Sequence, residues 1–291
     1  MAGLVPTADP RDLDPASVFL TAAAAAALRD AGIGLHGSGR ERYGLIVGTT
    51  RVSAQSAAEF RCSIDERGLA GLSVRAFARI VLNASAGACS KVLALKGPHT
   101  AITTGRDSGL AALVVAAGMA SRRDDVDLIV AGGVDELPLP EDGEGLVGED
   151  GLADGAACVV VGPATAHDVE PWASPVRLAG WAVAGPGRTA EAVERALRMA
   201  GVGRDEVDLW YGGDPFDRAS DGAEWSVAGT PRVDPARMVG TAEASGGMLA
   251  CVAAVQALRE GRAGIALVTS GASRSAACAV LLAGKGRNLG T

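Results

Sequence analysis

The stretch Pro98-His99-Thr100-Ala101-Ile102-Thr103-Thr104-Gly105-Arg106-Asp107-Ser108-Gly109-Leu110 is a short apolar strand that passes through a tight turn directly into a helix. In α/β enzymes this strand–turn–helix arrangement presents a reactive side chain at the apex of the turn. The apex residue here is Arg106. An arginine keeps its proton at any ordinary pH and so can serve neither as a nucleophile nor as a general base. The stretch therefore predicts an α/β fold with a catalytic frame that lacks its nucleophile.

The sequence carries the same series of helices and strands twice, in the same order. The first copies lie at 27–33, 43–49, 108–113, 126–133 and 156–161, and the second at 196–202, 207–213, 245–250, 264–271 and 276–281. Continuous apolar strands that alternate with helices indicate mostly parallel sheets covered by helices. We therefore expect an α/β protein of two related halves, residues 1–165 and 166–291, packed across a pseudo-two-fold axis in a five-layer αβαβα arrangement.

The first half carries the insertions, the largest of which lies between Thr50 and Pro98. Within it, residues 76–95 are predicted to form one helix. Its apolar residues are spread over most of the helix surface, which is typical of a helix that is buried or lies at an interface.

Composition and charge exclude several classes of protein. The chain has 291 residues, a hydrophobic fraction of 48% and a formal charge of -7, which favours a folded protein and argues against a nucleic-acid partner. The five cysteines are far apart and have no metal-ligand spacing, so buried thiols in a reducing cytoplasm are expected. The apolar run 21–28 is too short to cross a membrane, and no targeting signal or membrane partner is expected.

The chain resembles the β-ketoacyl synthase family of the thiolase fold. The resemblance spans about residues 14–285 and is carried by the duplication, by the turn 104–110 and by further short motifs. These are Val47-Gly48-Thr49, Ala131-Gly132-Gly133 and Asp154-Gly155-Ala156. Full-size members carry further elements ahead of residue 14, so the resemblance implies an N-terminally trimmed form.

The resemblance implies that the family's reactive groups are missing. The family's cysteine falls on Arg106, its two histidines fall on Gly213 and Thr241, and its lysine falls on Ala236. Decarboxylative condensation needs a thiolate to hold the acyl chain and imidazoles to assist decarboxylation. We therefore expect no condensing activity from the chain alone, and no cofactor or metal. A displaced nucleophile at Cys89 is the alternative, although a buried thiol inside a helix fits that position better.

Arg106 requires an acidic neighbour if it is buried. A cation is disfavoured at the positive end of a helix dipole, and burial adds to the cost. We hypothesise that Arg106 fills the vestigial site and pairs with a carboxylate of this chain or of a partner. The candidates in this chain are Asp107, Asp214, Asp217 and Glu243. The alternative is sequence drift in a pocket without a function.

Members of the resembled family that lack the cysteine act as chain-length factors of type II polyketide synthases. The resemblance implies a heterodimer with an active ketosynthase, which would also bring the acyl carrier protein. It places the interface strand at 99–104, with Thr100, Ile102 and Thr104 as candidates. It places a gate segment and tunnel floor at 51–60, with Arg51 and Phe60 as candidates, and a partner-facing stretch at Val74 to Phe77. The trimmed length resembles the factors of highly reducing, polyene-forming systems.

Two other functions stay open at this point. One is a homodimeric thiolase-fold protein that binds an acyl thioester or a carrier protein without turnover. The other is an enzyme with a recruited nucleophile, for which Thr241, Ser108 and Thr104 are available without an accompanying base. Phe60 is either a stopper of the tunnel or a core residue beneath a loop.

Overall fold

The computed structural model describes residues 13–35, 39–51, 53–137, 153–163, 176–212, 230–234, 240, 242–270 and 276–284. The helices in these ranges are α1 (Pro15–Asp30), α2 (Ala54–Arg67), α3 (Val74–Phe77), α4 (Ala84–Leu93), α5 (Ser108–Ala120), α6 (Thr189–Ala200) and α7 (Gly246–Arg259). The strands are β1 (Tyr43–Thr49), β2 (His99–Ile102), β3 (Leu128–Asp135), β4 (Gly155–Val161), β5 (Val176–Ala184), β6 (Leu209–Tyr211), β7 (Arg232–Val233), β8 (Ile265–Ser270) and β9 (Ala277–Gly284).

The first sheet has the strand order β2-β1-β3-β4. β1 is parallel to both β2 and β3, whereas β4 is antiparallel to β3. β3 is buried along its whole length and β1 along all but its first residue, which is the pattern of strands covered by helices on both faces. The register places Gly48 of β1 beside Gly133 of β3, so two glycines meet where these strands end.

The second sheet repeats this topology. Its order is β5-β9-β8-β6-β7, with β6 parallel to β7 and β8, and with β9 antiparallel to β8. β5 adds an antiparallel strand to the outer edge of β9. Among the described residues, no strand pairs with the corresponding outer edge of β4. The matched order confirms the duplication, while the predicted boundary at 165/166 lies outside the described residues and stays a prediction.

The helices and sheets form the five predicted layers. α1 and α4 cover the outer face of the first sheet, α5 and α7 lie between the two sheets, and α6 covers the outer face of the second. Leu110 of α5 and Met248 of α7 are fully buried in the central core with Ile129 and Val268 of the sheets. Burying a side chain of this size contributes about 1.5–3 kcal/mol. The central layer therefore joins the first half (α1–α5, β1–β4) to the second half (α6–α7, β5–β9).

α1 begins at a proline that follows a capping aspartate. Pro15 is its first residue, and Asp14 caps it by accepting the N–H of Ser17 at 2.8 Å. Both features favour a helix start. Among the described helices, α1 included, none is long and apolar enough to span a membrane.

The single helix predicted over residues 76–95 is wrong. The structure divides this stretch into α3, which ends at Phe77, and α4, which begins at Ala84. The residues between them include the β-branched pair Ile80-Val81 and Asn83, all weak helix formers. Val81 and Leu82 are exposed there rather than buried.

Candidate functional site

The strand–turn–helix around Arg106 forms as the sequence predicts. β2 ends at Ile102, the chain turns at Gly105 with φ +96°, and α5 begins at Ser108. A positive φ of this kind favours glycine. The Ser108 hydroxyl accepts the backbone N–H of Thr104 at 3.0 Å and donates to the Gly105 carbonyl. Arg106 lies half-buried at the apex of this turn.

These contacts bear on the alternative of a recruited nucleophile. The Ser108 side chain is fully buried, and its hydroxyl proton is bound to a backbone carbonyl, so Ser108 stabilises the turn. Thr104 is exposed at the turn. Thr241 lies outside the described residues.

The first turns of α5 and α7 meet beside Arg106. The Gly109 N–H donates to the Ala244 carbonyl oxygen at 3.2 Å. A Cβ atom added to Gly109 would lie 2.2 Å from that oxygen, and one added to Gly133 would lie 2.5 Å from it. The glycines therefore permit a close approach that no other residue allows, and the positive ends of two helix dipoles converge at this site.

Asp135, the last residue of β3, caps α7 of the other half. Its carboxylate accepts the backbone N–H groups of Ala244 and Ser245, both at 2.8 Å, and the Ser245 hydroxyl at 2.6 Å. Burial raises the pKa of Asp135, although these three hydrogen bonds oppose the rise. A carboxylate at this position is favourable because it lies at the positive end of the helix dipole and fixes Ser245, the N-cap residue of α7.

Glu136 follows immediately and binds the starts of two helices of the first half. Its carboxylate accepts the N–H of Ala16 at the start of α1 and the N–H of Gln55 at the start of α2, both at 3.0 Å. It also accepts the hydroxyl of Ser53 at 3.1 Å. Because successive side chains of an extended chain point to opposite sides, the neighbours Asp135 and Glu136 reach different helices.

Glu243, just before α7, interacts with the two cations of the site, Arg51 and Arg106. Arg51 binds it with two N–H groups, Nε at 3.1 Å and Nη2 at 3.0 Å, and the Thr50 hydroxyl donates to it at 2.8 Å. Burial raises the pKa of Glu243, but the hydrogen bonds from Arg51 and Thr50 and the charges of Arg51 and Arg106 together hold it below its ordinary value. Glu243 is thus the described carboxylate whose ionisation Arg106 favours.

Asp107, the residue after Arg106, is fully buried. The Cys278 thiol of β9 donates to its Oδ2 atom at 3.4 Å, and its Oδ1 atom has no hydrogen-bond donor among the described residues. Burial raises the pKa of Asp107, and the hydrogen bonds of its carboxylate oppose the rise.

The cysteines are free thiols, and most of them are buried. Four are buried as expected, whereas Cys62 on α2 is exposed, contrary to the expectation. Burial raises the pKa of Cys89 to about 12, so its thiolate is scarce at neutral pH. Within the described ranges, no group of histidine, cysteine and acidic side chains could hold a metal ion.

The gate and interface candidates of the first half lie on or beside α2, α3 and β2. Phe60 of α2 is half-buried, and its ring packs on that of Phe77, with the centroids 5.7 Å apart. Val74 is 73% exposed and Phe77 is 54% exposed. Thr100 and Ile102 lie on β2, an edge strand of the described sheet.

Several predicted site residues fall outside the described residues. They are Gly213, Asp214, Asp217, Ala236 and Thr241. The structure brings Arg51 and Arg106 near Glu243, whereas it places the Asp107 carboxylate against Cys278. The five positions outside the described residues stay predictions.

Asp135 and Glu136 are functional candidates that the sequence analysis missed. Both hold helix ends that border the site, and their contacts span more than 80 residues of sequence. The available signal was a pair of acidic residues directly after a strand of uniformly small and apolar residues, Leu128 to Val134.

Comparison with known proteins identifies the family of the chain. The family model described as the N-terminal domain of β-ketoacyl synthases matches residues 4–163, which is more than half of the chain. By sequence, no curated protein matches the chain.

Solved structures of similar fold cover nearly the whole chain. A β-ketoacyl synthase from Burkholderia phymatum is 15% identical, with a TM-score of 0.81 over 94% of this chain and 83% of its own. A type II polyketide synthase acyl-carrier protein in complex with its ketosynthase, bound to the hexaketide, gives 14% identity and a TM-score of 0.79, covering 94% and 85%. The ishigamide ketosynthase/chain length factor gives 24% identity and a TM-score of 0.73, covering 98% and 90%. At these identities the likeness shows the thiolase-like fold.

Proposed function

The chain belongs to the β-ketoacyl synthase family, and from this premise we propose that it is a non-catalytic subunit, a chain-length factor. In this role it pairs with an active ketosynthase and shapes the tunnel that receives the growing polyketide. The product class is the polyene type of type II polyketide synthases, and the site of action is the cytoplasm.

The observation that carries the proposal is Arg106. It lies half-buried at the apex of the turn, at the start of α5, where the family resemblance expects a cysteine. A guanidinium cannot attack a thioester. The charge of Arg106 in turn helps to hold the pKa of the nearby Glu243 below its ordinary value.

The other substitutions support the same conclusion. Gly213 and Thr241 stand at the two positions where the resemblance expects histidine, and Ala236 stands where it expects lysine. Without imidazoles, neither decarboxylation nor stabilisation of the enolate has a general acid or a hydrogen-bond donor of the required kind. Four losses are hard to reconcile with a condensing enzyme.

The surface of the first half supports a partner. β2 presents an edge at which another strand could pair, and a group of large apolar side chains is exposed on the insertion that precedes it. They are Leu69, Val74, Phe77, Val81 and Leu82. Exposed apolar side chains grouped in this way mark interaction sites. We assign this surface, together with β2, to the ketosynthase, which would bring the acyl carrier protein to the complex.

Co-purification tests the proposal. The chain is co-expressed with a tagged ketosynthase that carries the cysteine and both histidines, and the complex is sized by light scattering. We expect a 1:1 heterodimer that condenses malonyl units, and a chain that is poorly soluble alone. A stable homodimer with acyl-transfer activity of its own would contradict the proposal.

A matched pair of variants locates the interface. Val74→Asp introduces a charge on the proposed surface and should abolish co-purification. Met199→Asp makes a similar change at a 51% exposed residue of α6, in the opposite outer layer, and should leave the complex intact.

A further inference from the structure

We infer that Arg51 is a latch: by binding Glu243 it fastens the gate segment, residues 51–60, to the second half and so determines where α2 and Phe60 lie. Arg51 acts as a positioning residue for the length of the product. This last step rests on the proposed function, whereas the latch itself does not.

The first attachment of the gate segment crosses between the halves. Arg51 grips Glu243 with two N–H groups, one to each carboxylate oxygen, and the adjacent Thr50 adds its hydroxyl. A bidentate arginine–carboxylate pair fixes direction as well as distance. The Arg51 side chain is 51% exposed and that of Glu243 is 20% exposed, so one partner is anchored and the other can leave.

The second attachment lies within the first half. Glu136 accepts the Ser53 hydroxyl and the Gln55 N–H at the start of α2, and it also holds the start of α1. Glu136 is buried, so this attachment behaves as part of the core. The gate segment is therefore fixed at its base by Glu136 and fastened to the second half by Arg51.

α2 itself has little packing to hold it. Of its fourteen residues, only Ser56 and Ser63 are buried. Phe60 packs on Phe77, which is itself more than half exposed. A helix with few buried apolar contacts has low local stability, so its polar attachments decide its position.

The charges around Arg51 favour its ion pair with Glu243. The hydrogen bond from Arg51 to Glu243 and the charges of Glu243 and Asp135 raise the pKa of Arg51, although burial opposes the rise. Without Arg51, Glu243 keeps the charge of Arg106 and the hydroxyl of Thr50, which lies just outside the gate segment. Loss of Arg51 therefore releases the segment without leaving Glu243 uncompensated.

Hydrogen exchange tests the latch on the ketosynthase complex, or on the chain alone if no complex forms. In Arg51→Ala, amides of residues 53–67 should exchange about tenfold faster, while those of α1 stay unchanged. Arg51→Lys keeps the positive charge but cannot form the bidentate contact with Glu243, so it should give an intermediate rate of amide exchange. Arg259→Ala is the matched control, because Arg259 binds Asp30 at 2.9 Å and also joins the two halves, but it does not touch the gate segment. Unchanged exchange in Arg51→Ala would overturn the latch.

Variants that reverse the two charges of the Arg51–Glu243 pair strengthen the test. Arg51→Glu should speed amide hydrogen exchange in α2 as Arg51→Ala does. Arg51→Glu combined with Glu243→Arg restores a pair of opposite charges and should slow this hydrogen exchange again. If the double variant does not slow amide exchange, and if Arg51→Ala exchanges at the wild-type rate, then α2 is held by other contacts.

Product analysis tests the functional step. With rates normalised to the amount of complex, Arg51→Ala should broaden the distribution of product lengths, and Arg259→Ala should leave it unchanged. Faster exchange with an unchanged distribution would overturn the link to product length. Absence of any ketosynthase complex would overturn the proposed function, and exchange on the chain alone would still decide the latch.

Discussion

Ser245 gives both its backbone N–H and its hydroxyl to one carboxylate oxygen of Asp135, at 2.8 and 2.6 Å, across 110 residues of sequence. Asp135 ends a strand of the first half, and Ser245 precedes the central helix of the second. The next residue, Glu136, accepts the N–H groups that begin α1 and α2. Two consecutive carboxylates thus bind backbone N–H groups at the starts of three helices and fix these helices relative to β3.

Asp135→Ala should destabilise the protein by about 3 kcal/mol, because it removes three hydrogen bonds to a charged acceptor and leaves buried donors unpaired. The free energy of unfolding in urea measures the change. Asp127→Ala is the control, since Asp127 forms an exposed ion pair with Arg42 and should cost less than about 1 kcal/mol. Similar losses in the two variants would contradict the role of Asp135 as a cap.

Gly48→Ala should cost about 3 kcal/mol, because its Cβ would lie 2.1 Å from the carbonyl carbon of Ser108, where only backbone shifts could relieve the clash. Gly118→Ala, in the same helix as Ser108, meets nothing within 4 Å and should stabilise the protein by about 0.5–1 kcal/mol. Urea unfolding of the pair separates crowding from the general effect of replacing glycine. A neutral Gly48→Ala would show that β1 and α5 are not held at this spacing.

Local patterns predicted much of the fold. β1 spans residues 43–49 as predicted, and α5 begins at Ser108 as expected, because strand and helix starts depend on nearby residues. The prediction of one helix over 76–95 failed at Ile80, Val81 and Asn83, which are weak helix formers. That prediction relied on the apolar content of the stretch and ignored their low helix propensity.

The contacts of the site could not be read in the same way. Arg51 and Glu243 are separated by 192 positions, and nothing near either residue in sequence names the other. The resemblance places Arg51 in the gate segment and tunnel floor, whereas the structure shows its head group bound to a carboxylate of the second half. Its assignment to the gate segment stays a prediction.

Phe60→Ala should lengthen the product made by the complex if the Phe60 ring closes the tunnel, because its removal opens the space beside Phe77. Mass spectrometry of the released chains measures this. Phe19→Ala removes the same ring from the α1 core cluster and should reduce stability without changing product length. Unchanged product length in Phe60→Ala would make Phe60 a core residue beneath a loop.

The stability of the protein should depend on pH through Asp107. Burial raises its pKa in the folded state, so the folded state holds a proton that the unfolded state has lost, and stability falls as pH rises from about 4 through the folded value. In Asp107→Asn this contribution is absent. The difference in unfolding free energy between wild type and variant should therefore turn against the wild type as pH rises, and a difference that is flat with pH would mean that Asp107 does not titrate in this range.

Arg106→Cys should not restore condensation. The start of α5 would favour a thiolate through the helix dipole, but Glu243, whose carboxylate Arg106 now offsets, would oppose it. Even an acylated cysteine would lack imidazoles, since Gly213 and Thr241 stand where the family resemblance expects histidines. Decarboxylation of malonyl-carrier protein by the variant alone should equal that of the wild type, while iodoacetamide labelling verifies that the new thiol is reachable. Condensation by this single variant would mean that the chain supplies its own acid and base, and the proposal of a non-catalytic subunit would fall with it.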